Sequence, residues 1–444
     1  MSQDVSRPLL SGPRRALWAA LALLFPLAVV LAPPVAEFLE HPAPAFSPKW
    51  FEAVGKGLAL AGVGLFFVQY AIGAKLPLLD RAFSLNGTFL AHRWVALAAA
   101  CMLSLHPLLL FAPKEREVGA IDLAAQWPLL LGALTLLSLW TAVAVALKRK
   151  FLGLPFQRWW GLHKIGVVAL AVLAGTHAAF VHGHLHLGWP QAVLAGGLLI
   201  YLGSALARRG REYQVAAVEK AARDAFEVVL RPARGAAAPY APGQFGLVTF
   251  LSENLPREEH PWTLASTPTR GEELRMCIRC SGDFTSAIGR LRPGDRALVK
   301  GPYGRFSYLR HGEEDGELVL VAGGVGVTPI LSMLRHLADR GDQRPVTLIW
   351  SNRTEEDIIL PRGMQELRER LSGLTIHYVL TRQPEYSGYS GRLDEAKYAA
   401  ILKGVDRRAE VFVCGPPSLM ADARRQLCRV GFSAGRIHTE EFAL

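Results

Sequence analysis

Residues 90–107 read LAHRWVALAAACMLSLHP, an apolar run that carries two histidines, His92 and His106, fourteen positions apart. Residues 162–179, LHKIGVVALAVLAGTHAA, repeat the arrangement with His163 and His177 at the same interval. Fourteen residues of α-helix turn a side chain through about 1400°, roughly forty short of four full turns, and rise about 21 Å. Each run therefore presents its two histidines on one face at two depths. Each first histidine is followed by a cation, Arg93 or Lys164.

Both runs belong to a series of six apolar stretches, at roughly 16–36, 54–72, 89–111, 127–147, 161–180 and 188–207, each long enough for a bilayer-spanning helix. The first could instead be a cleaved signal peptide, but it is longer than a usual apolar signal core. Residues 1–210 hold 17 Lys+Arg against 8 Asp+Glu, leaving 32 against 30 for the rest of the 444-residue chain. The net charge of +11 thus concentrates around the apolar half, which excludes a nucleic-acid patch and marks membrane flanks. Cations precede the first span (Arg7, Arg14, Arg15), separate the second from the third (Lys75, Arg81, Arg93) and the fourth from the fifth (Lys148, Arg149, Lys150, Arg158, Lys164). The positive-inside rule then puts both termini and everything after residue 210 in the cytoplasm; the expected location is the plasma (inner) membrane, crossed several times.

Spans three and five run in the same direction, so His92 faces His163 near the inner side and His106 faces His177 near the outer side. A single membrane histidine is most simply read as hydrogen-bonding a neighbouring helix. Four at matched spacing point to function, because ionisable groups are costly in a bilayer. Two imidazoles facing across a bundle can hold a haem from both sides, which makes these four the expected ligands of two b-type haems. Arg93 and Lys164 would neutralise haem propionates or snorkel to the surface. Ala99 and Leu170, seven residues after the inner histidines, would line the gap between levels with apolar groups. His182, His184 and His186, in HGHLHLG, form either a metal-gathering or a solvated loop at the outer end of span five. The five cysteines build no disulfide framework, and Cys277 and Cys280 of CIRC fall in an apparent strand, where positions three apart point to opposite faces.

After residue 210 the apolar runs shorten to strand length. Three domains are expected: an all-α transmembrane bundle at 1–210, an antiparallel β-barrel at 211–312 and an α/β parallel-sheet domain at 313–444. EYQVAAVEKA and DAFEVVLRP read as paired strands, and YAPGQFGLVTF as a third after a Pro-Gly turn. SGDFTSAIGRL, from Ser281, is a glycine turn opening into a helix whose amides suit a phosphate, or an ordinary capped helix. ELVLVAGGVGVTPILSMLRHL is a buried strand, a glycine-rich turn and a helix started at Thr328-Pro329, the arrangement that lets amides approach a pyrophosphate. VTLIWSNRTEED is a strand ending at Arg353, which could accept a 2′-phosphate; NADPH is favoured and NADH stays open.

Taken together, the paired histidines, HPWTLAS (260–266), GGVGVTP, VCGPP and the terminal EEFAL resemble the ferric reductase and NADPH oxidase superfamily, whose soluble half is similar to ferredoxin-NADP reductase. The resemblance covers nearly the whole chain. It implies that His260, Pro261, Trp262 and Thr263 contact FAD, with Trp262 where the family has Phe, and that Gly282 and Thr285 form the flavin-phosphate turn. It implies further that Gly323, Gly324, Gly326 and Thr328 form the nicotinamide-dinucleotide loop, with Cys414 and Gly415 near the nicotinamide. Phe442 would cover the flavin ring, so that Thr263, Cys414 and Phe442 stand closest to the chemistry. The length leaves no room for the calcium-binding hands of some relatives.

The implied activity passes electrons from cytoplasmic NAD(P)H through FAD, which can take a hydride and release electrons singly, to the two haems and an acceptor on the outer side. A ferric chelate or other oxidised metal is the first expectation for that acceptor, and dioxygen, giving superoxide, the second. An electron-transfer subunit serving a protein partner, or a transporter or sensor bundle with a fused reductase, are the rival readings.

Overall fold

The computed structural model describes residues 43–74, 85–111, 123–181, 188–207, 210–311 and 316–440, with Ala28, Val35 and Leu39 placed singly. These fall into two compact units, one within Leu10–Arg208 and one within Arg209–Leu444.

The first unit is helical: α1 Pro48–Gly73, α2 Leu85–Phe111, α3 Leu123–Lys148, α4 Phe156–Phe180 and α5 Trp189–Ala207. The stretches Pro48–Gly73, Gly87–Phe111, Gln126–Lys148 and Phe156–Phe180 are long and apolar enough to cross a membrane, while the apolar part of α5, Pro190–Leu206, is shorter. The expected count of six rests on α5 and on a first span, 16–36, that lies outside the described residues apart from Ala28. Leu134, Leu137, Ile165, Val172 and Leu199 are exposed on the outside of the bundle, where lipid in place of water removes any reason to hide them. Ser47 caps α1 by accepting the Trp50 amide at 3.2 Å. Small residues let helices approach: a Cβ added at Gly62 on α1 would stand 2.6 Å from Leu103 Cδ2 on α2.

The second unit holds two six-stranded sheets. Strands β1 Arg211–Ala222, β2 Ala225–Pro232, β3 Phe245–Leu251, β4 Glu259–Thr263, β5 Leu274–Arg279 and β6 Arg296–Tyr303 form one, in the order β4-β3-β6-β1-β2-β5. Each of its pairings is antiparallel. A barrel was expected; the observed order has two ends, β4 and β5, and the chain just past β4 reaches β5 through the Ala265 amide, which donates to the Arg275 carbonyl at 2.7 Å.

The other sheet has the order β10-β9-β8-β7-β11-β12, with β7 Leu318–Gly323, β8 Val346–Asn352, β9 Leu374–Leu380, β10 Tyr389–Ser390, β11 Glu410–Cys414 and β12 Ile437–Glu440, parallel throughout. Every residue of β7 is buried. Leu318, Leu320 and Ala322 enter one hydrophobic core, whereas Val319 and Val321 enter another. This period of two shows that both faces of the sheet are covered, as parallel sheets require.

Candidate functional site

The four membrane histidines sit on α2 and α4 as two levels. At one level the His92 and His163 rings stand 6.2 Å apart, centroid to centroid, with planes 76° from parallel. A metal–imidazole bond is about 2.0–2.1 Å long, so two rings on opposite sides of one ion have centroids roughly 6 Å apart. The spacing therefore fits bis-imidazole ligation of an iron. The ring of His163 is stacked by Trp159 (5.3 Å, 27°) and Trp160 (5.8 Å, 18°) from the preceding turn of α4.

At the other level, His106 Nδ1 lies 2.9 Å from the Gly55 carbonyl of α1, and His177 Nδ1 lies 2.7 Å from the Pro128 carbonyl of α3. A carbonyl can only accept, so both Nδ1 atoms carry a proton, and in the neutral ring the lone pair is then on Nε2. This is the tautomer a metal-binding histidine takes when its second nitrogen is anchored outside the coordination sphere. Between the levels, Ala99, Ala100 and Leu170 are buried, and Ala100 and Leu170 pack with Leu139. Arg93 is exposed; Lys164 is exposed with Nζ 5.8 Å from the Trp160 ring centroid. His182, His184 and His186 lie outside the described residues. Gly55 and Pro128 were invisible as site residues in the sequence, because their role depends on which helix faces which.

In the antiparallel sheet, His260 and Trp262 fall on one side of β4, two residues apart. Their rings stack at 5.4 Å, and Phe284 closes on His260 at 4.2 Å and on Trp262 at 6.0 Å. His260 Nε2 also pairs with Glu258 Oε2 at 3.0 Å. Thr263 is buried and pairs in register with Phe245 of β3. The Gly282 turn opens into a single helical turn, α6 Asp283–Ser286, whose Thr285 hydroxyl accepts the amides of Ser281 (2.9 Å) and Gly282 (3.0 Å). The amides of Ser281 and Gly282, just before this helical turn, are thus satisfied internally.

Cys277 and Cys280 do not converge: Cys277 is buried, with Sγ 4.0 Å from Glu227 Oε1, and burial followed by that carboxylate pushes its thiol up to about 12. Glu227 is itself buried and paired with Arg275 (3.1 Å) and Arg335 (3.2 Å). Among the described residues no group of three or more His, Cys, Asp or Glu gathers as a metal site; a bis-imidazole site needs two.

The glycine-rich turn, Gly324–Gly326, links β7 to α7, Val327–Arg340. A Cβ at Gly326 would lie 2.4 Å from the Cys414 carbonyl, and one at Gly323 would lie 2.9 Å from both Pro416 Cδ and Leu419 Cδ1. Gly323 and Gly326 are therefore packed backbone on backbone against Cys414 and Gly415, with Thr328 Oγ1 donating to the Val325 carbonyl at 3.0 Å. Arg279, which the sequence reading passed over, pairs with Asp224 at 2.8 Å and places a terminal nitrogen 3.1 Å from the Cβ position of Gly324.

Cys414 ends β11 beside Ala322 of β7 and Glu440 of β12, and burial, then the Glu440 charge, raise its thiol above the ordinary range. A Cβ on Gly304 would meet Glu440 Oε1 at 3.0 Å and the Phe245 ring at 3.1 Å. The neighbourhood thus runs from Thr263 through Phe245 and Gly304 to Glu440 and Cys414. Phe442 lies outside the described residues. Arg353 is exposed just past β8, and its carbonyl accepts the amide of a second exposed arginine, Arg382, at 2.9 Å.

Residues 58–174 match the family described as ferric reductase like transmembrane component. Residues 320–425 match the oxidoreductase NAD-binding domain. Among curated proteins, the chain is 34% identical over 163 residues to NADH-cytochrome b5 reductase 2 of Mycosarcoma maydis, covering 35% of this chain and 46% of that one. It is 29% identical over 209 residues to sulfhydrogenase 2 subunit gamma of Pyrococcus furiosus, covering 45% and 70%. Similarity to the propane 2-monooxygenase reductase component of Mycolicibacterium goodii is 27% over 219 residues, covering 47% and 60%. The chain thus spans between 46% and 70% of the length of these relatives. A solved flavohemoglobin from Malassezia yamatoensis is similar at 18% identity and a TM-score of 0.49, over 90% of this chain and 99% of that chain.

Proposed function

Because this chain joins a ferric reductase like transmembrane component to an oxidoreductase NAD-binding domain, we propose that it is a membrane-spanning reductase that moves electrons from cytoplasmic NAD(P)H to an acceptor on the outer side. Its acceptor is a ferric chelate or another oxidised metal. The observation that carries this reading is the 6.2 Å separation of His92 and His163, which suits two imidazoles on one iron.

His92 with His163 would hold one haem and His106 with His177 the other. FAD and the haems, when bound, supply the chemistry that side chains lack, accepting a hydride and passing its electrons on one at a time. The protein's own residues bind, orient and insulate. The Gly323–Gly326 turn and the start of α7 offer amides and a helix N-terminus to a pyrophosphate. His260, Trp262 and Thr263 would contact the flavin, and Cys414 near the nicotinamide keeps its proton, so that it offers an S–H group in place of a thiolate. Buried Ala100, Leu139 and Leu170 exclude water between the two histidine levels.

A second reading, an electron-transfer subunit serving a protein partner, is favoured by the relatives named as a subunit or a reductase component of larger enzymes. The test is the visible spectrum of detergent-purified protein under argon, before and after NADPH, followed by addition of a ferric chelate. Reduction of bound haem by NADPH and its reoxidation by the chelate are expected. A protein without a haem spectrum sinks the proposal, and slow reoxidation restored by a membrane or periplasmic extract moves the choice to the second reading.

A further inference from the structure

Gly132 lies one helical turn after Pro128 on α3, so the two share a face. A Cβ at position 132 would stand 2.7 Å from His177 Cε1, 2.9 Å from Nδ1 and 3.2 Å from Nε2. It would also lean toward the helix N-terminus, over the Pro128 carbonyl that receives the His177 Nδ1 proton at 2.7 Å. Non-bonded carbon atoms pack at about 3.5–4.0 Å, so even one methyl group displaces the ring from its acceptor. By contrast, Gly196 and Gly203 on α5 have nothing within 4 Å of an added Cβ. The partner ring is seated in the same way, since His106 Nδ1 reaches the Gly55 carbonyl at 2.9 Å, and a Cβ on Gly55 would press at 3.3 Å on the His106 carbonyl. His163 is held differently, by the stacked rings of Trp159 and Trp160.

We propose that Gly132 is the positioning residue of the His106/His177 iron site: by omitting a side chain it lets His177 dock on the Pro128 carbonyl, which fixes the Nδ1–H tautomer and leaves Nε2 as the ligand atom. The assignment rests on the two-haem reading above. It makes the two iron sites unequal in construction, one set by backbone carbonyls and the other by indole stacking, so one substitution separates them.

The test uses full-length protein in detergent and reads haem per polypeptide together with potentiometric titration of the haem bands. Gly132→Ala is expected to reduce two haems to about one, or to keep two with one midpoint potential shifted, while Gly196→Ala keeps both unchanged. In a His177→Ala background, Gly132→Ala is expected to cost nothing more, because a residue acting through His177 has no effect once that ring is gone. Gly132→Ala protein with two haems and both potentials as in wild type overturns the assignment. So does loss of both haems in Gly132→Ala when His177→Ala loses one, or a further loss in the double variant. Wild-type protein with no haem instead overturns the two-haem reading itself, and the assignment with it.

Discussion

The imidazoles of His92 and His163, on helices separated by a whole further helix in sequence, stand 6.2 Å apart with planes 76° from parallel. That spacing leaves room for one metal ion bound through both rings. Alanine at either position is expected to remove about one of two haems, and alanine at His106 or His177 to remove the other. Pyridine haemochromogen assays on the four single variants check this. Full haem content in all four would overturn the ligand assignment.

Gly326 is expected to be the least replaceable glycine of the nucleotide loop. Its Cβ position lies 2.4 Å from the Cys414 carbonyl and 2.8 Å from Gly415 Cα, so Gly326→Ala must push two loops apart at a cost of about 1–3 kcal/mol. Gly363, in the helix Pro361–Arg370, has only Leu360 Cβ nearby at 3.7 Å, and Gly363→Ala should be neutral or stabilising by about 0.5–1 kcal/mol. Thermal melts and stopped-flow flavin reduction by NADPH would compare them. Equal behaviour of the two variants contradicts the packing argument.

Arg353 and Arg382 lie side by side through the Arg382 amide to Arg353 carbonyl bond of 2.9 Å, at the carboxyl ends of β8 and β9. A charge-assisted contact to a 2′-phosphate contributes about 1.5–3 kcal/mol, so Arg353→Ser should raise the KM for NADPH roughly ten-fold or more and leave that for NADH nearly unchanged. Parallel losses with both nucleotides would remove the 2′-phosphate role.

His336, buried on α7, is hydrogen-bonded through Nδ1 to the Tyr308 hydroxyl at 2.5 Å. Burial, and then the Arg340 charge, pull its ionisation down from 6.5 to about 4. Between those values the unfolded chain binds the extra proton, so stability is complete above 6.5 and falls as the pH drops through this window, by at most about 3 kcal/mol. Melting temperatures of the NAD-binding unit should decline from pH 7 to pH 5, and His336→Gln should flatten that decline. An unchanged slope in the variant assigns the acid sensitivity elsewhere.

The helices and strands were legible in sequence where one periodicity dominates. The expected span 89–111 lies within α2, and the two strands around residues 222–225 form β1 and β2, because length and alternation need no partner to be read. The histidine interval was legible for the same reason. What escaped was every feature made by a residue distant in sequence: the Gly55 and Pro128 carbonyls behind the His106 and His177 rings, Gly132 beside His177, and Arg279 against the glycine turn. The Ser281–Thr285 turn shows the converse, a local motif whose hydroxyl turns inward to its own amides.

Strand β7 draws its two hydrogen-bonding neighbours from very different distances along the chain, β8 immediately after its helix and β11 only near the C-terminal end of the sheet. During synthesis, therefore, LVLVAG leaves the ribosome long before Glu410–Cys414 can zip onto its second edge. Until then a wholly apolar edge stands bare, the kind of template that recruits other chains. A polypeptide ending anywhere between β8 and β11 would keep that liability permanently, so C-terminal truncations in this interval are expected to aggregate and to depend on holding chaperones.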